Sequence, residues 1–371
     1  MIYDYITSLT KASTSRMVQV ATMLRWVLMT MSYIPGVMAQ DAHFSQFYAV
    51  PVQLNPALTG GYDGKYRIAA VYRDQWRGPL EKPITTIGAA LDLRFDLTSS
   101  ALAGDAVAVG LQFSSDQAGP FDLSSNTIAL SGAFHKSLDR AGKQVISAGL
   151  QLITVQRNVL YEDLYFQDQF DGLNSFNQPT NEDLPDNNFT YGDIAVGLNY
   201  VNNYATRSSI FFGGSLHHIL EPDVSFYSHD GDERQQSVSS SSLFRKYSIH
   251  SGLILPTSEN MSISPRLYVA KQGPHLELSV GSNFILEPNS TDQVKLHFGG
   301  WIRIVEDFDE SFSPDVLGLM VGINLQELLI GLSYDLNLRD IIDYRTGQGA
   351  LEVSISYFGN YDSDEGVCPS F

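Results

Sequence analysis

Ser215 and His217 stand two residues apart, the spacing that puts a hydroxyl and an imidazole on one face of a strand, where a nucleophile and its base could meet. No third group that would orient the histidine lies at a useful spacing, and serine is common on polar strand faces, so hydrolase chemistry is not expected. His217 and His218 are neighbours whose rings strand alternation sends to opposite faces, so they are not expected to chelate one metal ion. Asp230-Gly-Asp232 and the acidic run Glu306 to Glu310 carry calcium-type ligands but lack the spaced donor set of a twelve-residue loop. The single cysteine, Cys368, cannot close an internal disulfide, and no Cys/His cluster offers a zinc site. Forty-one acidic residues against 23 Lys and Arg give a formal charge of −18, which excludes nucleic acid as a partner. What remains is non-enzymatic binding chemistry, with no cofactor expected.

The elements that must position such residues follow from composition and periodicity. The 371 residues are 43% hydrophobic but only 17% charged, with 19 Tyr and 20 Phe, against about 25% charged in an ordinary soluble domain. Residues 1–39 contain Lys11, Arg16 and Arg25, then an apolar run from Trp26 ending in Val37-x-Ala39, the pattern of a secretory signal peptide, with Met17 or Met23 as alternative starts. Cleavage there leaves 40 acids against 20 Lys and Arg. No cysteine follows the run, so a lipoprotein is excluded.

Beyond residue 40 no stretch of 18 apolar residues occurs, which excludes a helical membrane protein. Period two recurs instead. Val107, Val109, Leu111 and Phe113 alternate with Ala108, Gly110, Gln112 and Ser114, and similar alternation marks 146–152, 194–200, 294–298, 330–335 and 351–357. Fourteen strands are expected, near 65–76, 84–96, 105–116, 124–136, 143–155, 189–200, 206–218, 243–255, 260–270, 274–287, 293–304, 314–323, 327–336 and 348–358. The even number suits a closed transmembrane antiparallel β-barrel, all-β in class. Gaps after even strands are brief, and those after odd strands include the long 156–188 and 218–242. Both long gaps are acidic (Glu162, Asp163, Asp168, Asp171, Glu182, Asp183 and Asp186; Glu221, Asp223, Asp230, Asp232 and Glu233). The polar face is rich in Gly, Ser, Asn, Gln and His. Tyr66, Tyr72, Phe95, Phe134, Tyr200, Tyr268, Tyr334, Tyr357 and Phe358 fall near strand ends, where interfacial girdles belong, so outer-membrane lipid is expected against the apolar face. The expected organisation is a signal peptide (1–39), a periplasmic N-terminal segment (40–63), the barrel (64–359) and a C-terminal tail (360–371).

The segment after the signal peptide reads Gln40-Asp-Ala-His-Phe44-Ser45-Gln46-Phe47-Tyr48, then Leu54-Asn55-Pro56-Ala57-Leu-Thr-Gly60 and Tyr72-Arg73-Asp74-Gln75-Trp76. Further along stand Asp116-Gln-Ala-Gly119-Pro120, Ser215-Leu-His-His218, Pro265-Arg-Leu267, Trp301-Ile-Arg303 and Gly331-Leu-Ser-Tyr334-Asp335. With these motifs the chain resembles the PorP/SprF family of outer-membrane proteins associated with type IX secretion. The resemblance spans essentially the whole mature chain. It implies a barrel supporting secretion or gliding, paired with a type IX-secreted adhesin or its C-terminal domain, with secretion-motor or periplasmic subunits as further partners.

Within those motifs, Phe44, Ser45, Gln46, Asn55 and Pro56 are expected either to seat the N-terminal segment or to present it to a partner. In the first case Asn55-Pro56 sets a turn and Gln46 satisfies a backbone group. Arg73 and Trp76, with Arg77, Asp92 and Arg94, place charge in the lumen or at the outer mouth. The rings of Phe44, Phe47 and Tyr48 need burial, as a partial plug in the lumen or along the periplasmic rim. The rival function is a porin-like solute channel.

Overall fold

A chain whose alternate residues are apolar and polar can bury neither set against water alone, and in this protein the strands close on themselves with the apolar set outside. The computed structural model describes residues 44–360 except 79, 81, 98–104, 120–121, 162–163, 206, 228–240, 289–293, 307–310 and 339–348. The expected signal peptide, Cys368, the 361–371 tail, Pro120, Glu162, Asp163, Asp230, Asp232, Glu233 and most of the Glu306–Glu310 run lie outside the described residues.

Fourteen strands run in chain order: β1 (Tyr66–Gln75), β2 (Ile84–Asp96), β3 (Ala106–Ala118), β4 (Leu123–Ser137), β5 (Gln144–Asn158), β6 (Asn188–Ala205), β7 (Ser208–His217), β8 (Lys246–Ser258), β9 (Met261–Gln272), β10 (His275–Leu286), β11 (Val294–Glu306), β12 (Phe312–Leu325), β13 (Leu328–Asn337) and β14 (Ala350–Gly359). Each pairs antiparallel with its sequence neighbours. The barrel closes where β1 meets β14, Tyr66 opposite Gly359 and Gln75 opposite Ala350. Closure leaves no open edge, the condition for strands in lipid. Among the described residues no helix is long and apolar enough to cross a membrane.

The faces settle which solvent lies where. On β3, Leu111 is 52% exposed on the outside while neighbouring Gln112 is 4% exposed inside. The same phase exposes Ile128, Leu130, Leu150, Leu152, Ile249, Val280, Leu319 and Ile355, and buries Arg67, Arg73, Asp92, His135, Gln151, Asn199, Asp335 and Glu352. An apolar exterior around a polar, charged interior is the pattern of a membrane barrel and the inverse of a water-soluble one.

Tyr72, Phe95, Phe134, Tyr334 and Tyr357 do lie outside. Tyr268 and Phe358 depart from the expected girdle. The alternation of β9 turns Tyr268 inward, where it stacks on Phe47 with centroids 5.3 Å apart, and that of β14 turns Phe358 toward Tyr62, 6.0 Å away. Strand ends attract aromatic residues for two reasons, a lipid interface and a filled lumen, and position along the strand does not separate them.

Candidate functional site

The described residues ahead of β1, 44–65, form no strand and no long helix. They cross the lumen as a plug, with one helical turn, α1 (Pro51–Leu54), and a 3₁₀ turn at Pro56–Leu58. Three seats hold them.

The first seat lies where the barrel closes. Glu352 on β14 accepts the backbone N–H groups of Ser45 (2.7 Å) and Gln46 (2.9 Å), one on each carboxylate oxygen. Arg73 on β1 donates to Ser45 Oγ (3.0 Å) and Asp335 Oδ2 (2.9 Å) and pairs with Glu352, while the Ser45 hydroxyl donates to Asp335. All four side chains are buried. The Gln46 amide donates to Ser333 Oγ (2.8 Å), and its carbonyl accepts from the Ser354 hydroxyl (2.7 Å). Gln46 thus satisfies two wall hydroxyls rather than the backbone group expected of it. Phe44 packs beside this network in a small apolar cluster with Ala49 and Val50 of the plug and Ala69, Val71 and Ala90 of β1 and β2. Charge-assisted bonds in a water-poor interior are the strong kind.

From there Phe47 and Tyr48 reach the far wall. Tyr48 lies under the guanidinium of Arg266 (4.1 Å to the ring centre), and its hydroxyl meets Met320 and Asn283. The second seat is Asn55-Pro56. Asn55 caps the 3₁₀ turn by accepting the Ala57 N–H (2.8 Å), and its amide donates to the carbonyls of Leu198 on β6 (3.0 Å) and Gly214 on β7 (3.2 Å). The wall yields space here. Gly149 on β5 and Gly197 on β6 are register partners, and a Cβ on either would collide with Pro56 or Asn55. Glycine is required at both positions by close approach of the plug.

The third seat returns the chain to the wall. His135 donates its Nε2–H to the Thr59 carbonyl (2.8 Å) while Nδ1 accepts from Ser147 (2.7 Å). Asp92 accepts the Gly60 N–H (2.7 Å) and a two-point grip from Arg67 (3.0 and 2.7 Å), whose Nη2 also donates to the Leu58 carbonyl. Arg94 donates to the Gly60 carbonyl (2.9 Å).

The fold brings Phe44, Ser45, Gln46, Arg73 and Asp335 together and sets Asn55 and Pro56 on the β6–β7 side. It leaves four expected site residues elsewhere. Tyr334 alternates with Asp335 and so faces outward. Trp76 follows β1 at φ 60°, its N–H donating to the Gly349 carbonyl. Asp116 accepts from Thr86 (2.6 Å) near the end of β3, and Gly119, at φ 58° in the next turn, has open space around it. Arg77 is exposed and pairs with Asp74. Glu352, Arg67 and the Gly149/Gly197 window were not anticipated. Glu352 left one signal, an acid in the inward phase of Leu351-Glu-Val-Ser, which a lumen must neutralise.

Ser215 gives its hydroxyl to the Leu54 carbonyl (2.9 Å), with Ser248 Oγ (2.6 Å) and His217 Nε2 (3.1 Å) beside the same oxygen. It is spent on the plug. β7 ends at His217, and His218 adopts φ 57°, so alternation stops and the two rings lie 6.3 Å apart rather than on opposite faces. His218 Nδ1 is 2.6 Å from Asp193 Oδ2. Among the described residues no group of three or more His, Cys, Asp or Glu is placed to hold a metal ion.

The family model of the type IX secretion system membrane protein PorP/SprF matches residues 37–357. The chain belongs to this family. That span takes in all three seats and nearly all of the barrel, so the plug is part of what the family model describes. Among solved structures the chain is similar to the deltaS2S3 mutant of the monoaromatic hydrocarbon channel TodX, at TM-score 0.50 and 12% identity over 87% of this chain and 96% of that one. The Pseudomonas putida toluene transporter TodX matches at TM-score 0.48 with 12% identity and the same coverage, and BamA from Haemophilus ducreyi at 0.39 with 11% identity over 80% of this chain and 71% of that one. At such identities the likeness is one of fold. No curated protein matches the sequence. Family and exterior together place this protein in the outer membrane as a multi-strand barrel of the type IX secretion system.

Proposed function

We propose that this chain is a non-enzymatic docking barrel of type IX secretion, which binds or anchors a secreted surface protein or a component of the secretion machinery. The observation that carries the proposal is the plug. A segment tied by hydrogen bonds to β1, β2, β6, β7, β13 and β14 crosses the lumen that a solute channel would keep open. The end of the barrel where β1 begins and β14 finishes is the short-turn end, which in membrane barrels is periplasmic. The loops after β5 and β7 then face outside, where a surface protein would meet them.

The test is a tagged pull-down of the full chain from detergent-solubilised outer membranes, with mass spectrometry of what co-purifies. Recovery of a large secreted surface protein or of secretion subunits is the expected result. A solitary barrel that passes sizeable single-channel currents in a planar bilayer would assign a porin-like channel instead.

A further inference from the structure

Between the plug and the wall, at the short-turn end, lies a cavity of about 740 Å³ that is lined by Phe47, Leu54, Leu58, Phe211, His250 and Arg266 and reaches Gly142 and Asn203. Its size suits a small ligand. Four cations border it, and three are neutralised: Lys65 and Arg94 pair with Asp96, and Arg67 with Asp92. Arg266 is different. Among the described residues no carboxylate pairs with it, and its contacts are the Tyr48 ring and a long bond from Nε to Ser264 Oγ (3.4 Å). Tyr48 supplies no counter-charge, because burial pushes its phenol above the ordinary value and keeps it neutral. A guanidinium set on an aromatic ring without an anion leaves its charge uncompensated, so its place beside a cavity points to an anion that arrives from outside the chain.

A second unused group lies on the same wall. His250, on β8 next to β9, is buried, and its Nε2 is 3.2 Å from Asn199 Oδ1 while, among the described residues, Nδ1 has no hydrogen-bond partner. With Nε2 carrying the proton toward Asn199, Nδ1 is closed off inside the wall, so the ring borders the cavity without offering it an acceptor. The site therefore offers a cation and an apolar floor made by the plug.

We propose that this cavity binds an amphipathic carboxylate, free or at the end of an extended peptide. Arg266 takes the carboxylate, and the apolar body lies against Phe47, Leu54 and Leu58. This assignment does not depend on the docking role, since a barrel without a secretion partner would keep the same cavity.

The test is calorimetric titration of the detergent-solubilised full chain with N-acetylphenylalanine and with N-acetylphenylalaninamide, which differ only in the charged group. The acid is expected to bind roughly ten- to a hundredfold more tightly, the span of a charge-assisted hydrogen bond. Arg266→Gln is expected to abolish the preference while the barrel keeps its heat-modifiable migration in electrophoresis. The tripeptide Ala-Leu-Phe with free and amidated ends is the second arm. Tighter binding of its free-ended form than of N-acetylphenylalanine assigns a chain terminus as the natural ligand, and the reverse assigns a free acid. Equal binding of acid and amide to the unsubstituted protein, or no binding of either carboxylate, overturns the proposal without recourse to a variant.

Discussion

Arg73 serves two carboxylates, Asp335 and Glu352, and a plug hydroxyl, all inside the barrel wall. Arg73→Met leaves two acids buried without a cation and is expected to destabilise the barrel by about 3–5 kcal/mol, read as a lower midpoint in urea titrations followed by heat-modifiable migration. Combining it with Asp335→Asn and Glu352→Gln removes the uncompensated charge and should recover part of that loss; no recovery would mean that packing, not charge, is what Arg73 supplies. Gly149→Val addresses the opposite seat. Its side chain occupies the volume of Pro56, so it is expected to cost about 1–3 kcal/mol and to open the plug to limited proteolysis between residues 44 and 64. Cleavage as slow as in the unsubstituted protein would show that the wall can give way there. Neither glycine drew notice in the sequence, because their importance arises only where β5 meets β6 and both meet residue 56, and no local pattern encodes that meeting.

The strands were legible because their two faces face two different solvents. Each of the fourteen lies within a few residues of its expected span, the largest extension being β6, which runs to Ala205 past a register shift. The plug was legible only as a need for burial. Phe44, Phe47 and Tyr48 demanded cover, but an aperiodic segment carries no sign of which wall will supply it. Deleting residues 41–60 separates the roles of the two elements. The outward faces are untouched, so the truncated barrel is expected to insert and migrate as a heat-modifiable species, to conduct more than the intact chain, and to lose its co-purifying partner. Full partner recovery by the truncated protein would reduce the plug to packing.

At the scale of the molecule, the exterior is solvated by lipid and the interior by the protein's own polar groups. Leu111→Arg, midway along β3 on the outer face, is therefore expected to cost about 2–4 kcal/mol in lipid vesicles, and the same change near a strand end about 0–1. Equal costs at the two depths would place the apolar face against something other than a bilayer. The sequence carried this inversion through the residues opposite the apolar set, such as Gln112, Gln151 and Asn199, which are uncharged polar groups suited to a narrow lumen where a water-facing surface would be rich in Lys and Glu.

The seat at the closure joins residues far apart in the chain. Ser45 and Gln46 are held by Arg73 from the first strand and by Asp335 and Glu352 from the last two, at separations of 290 residues between Ser45 and Asp335 and 307 between Ser45 and Glu352. Contacts of that span wait for the whole chain. During synthesis and insertion the plug has no lock until β14 arrives beside β1, so among the described residues those made first are the ones fixed last, and a barrel that stalls one strand short leaves them unfastened.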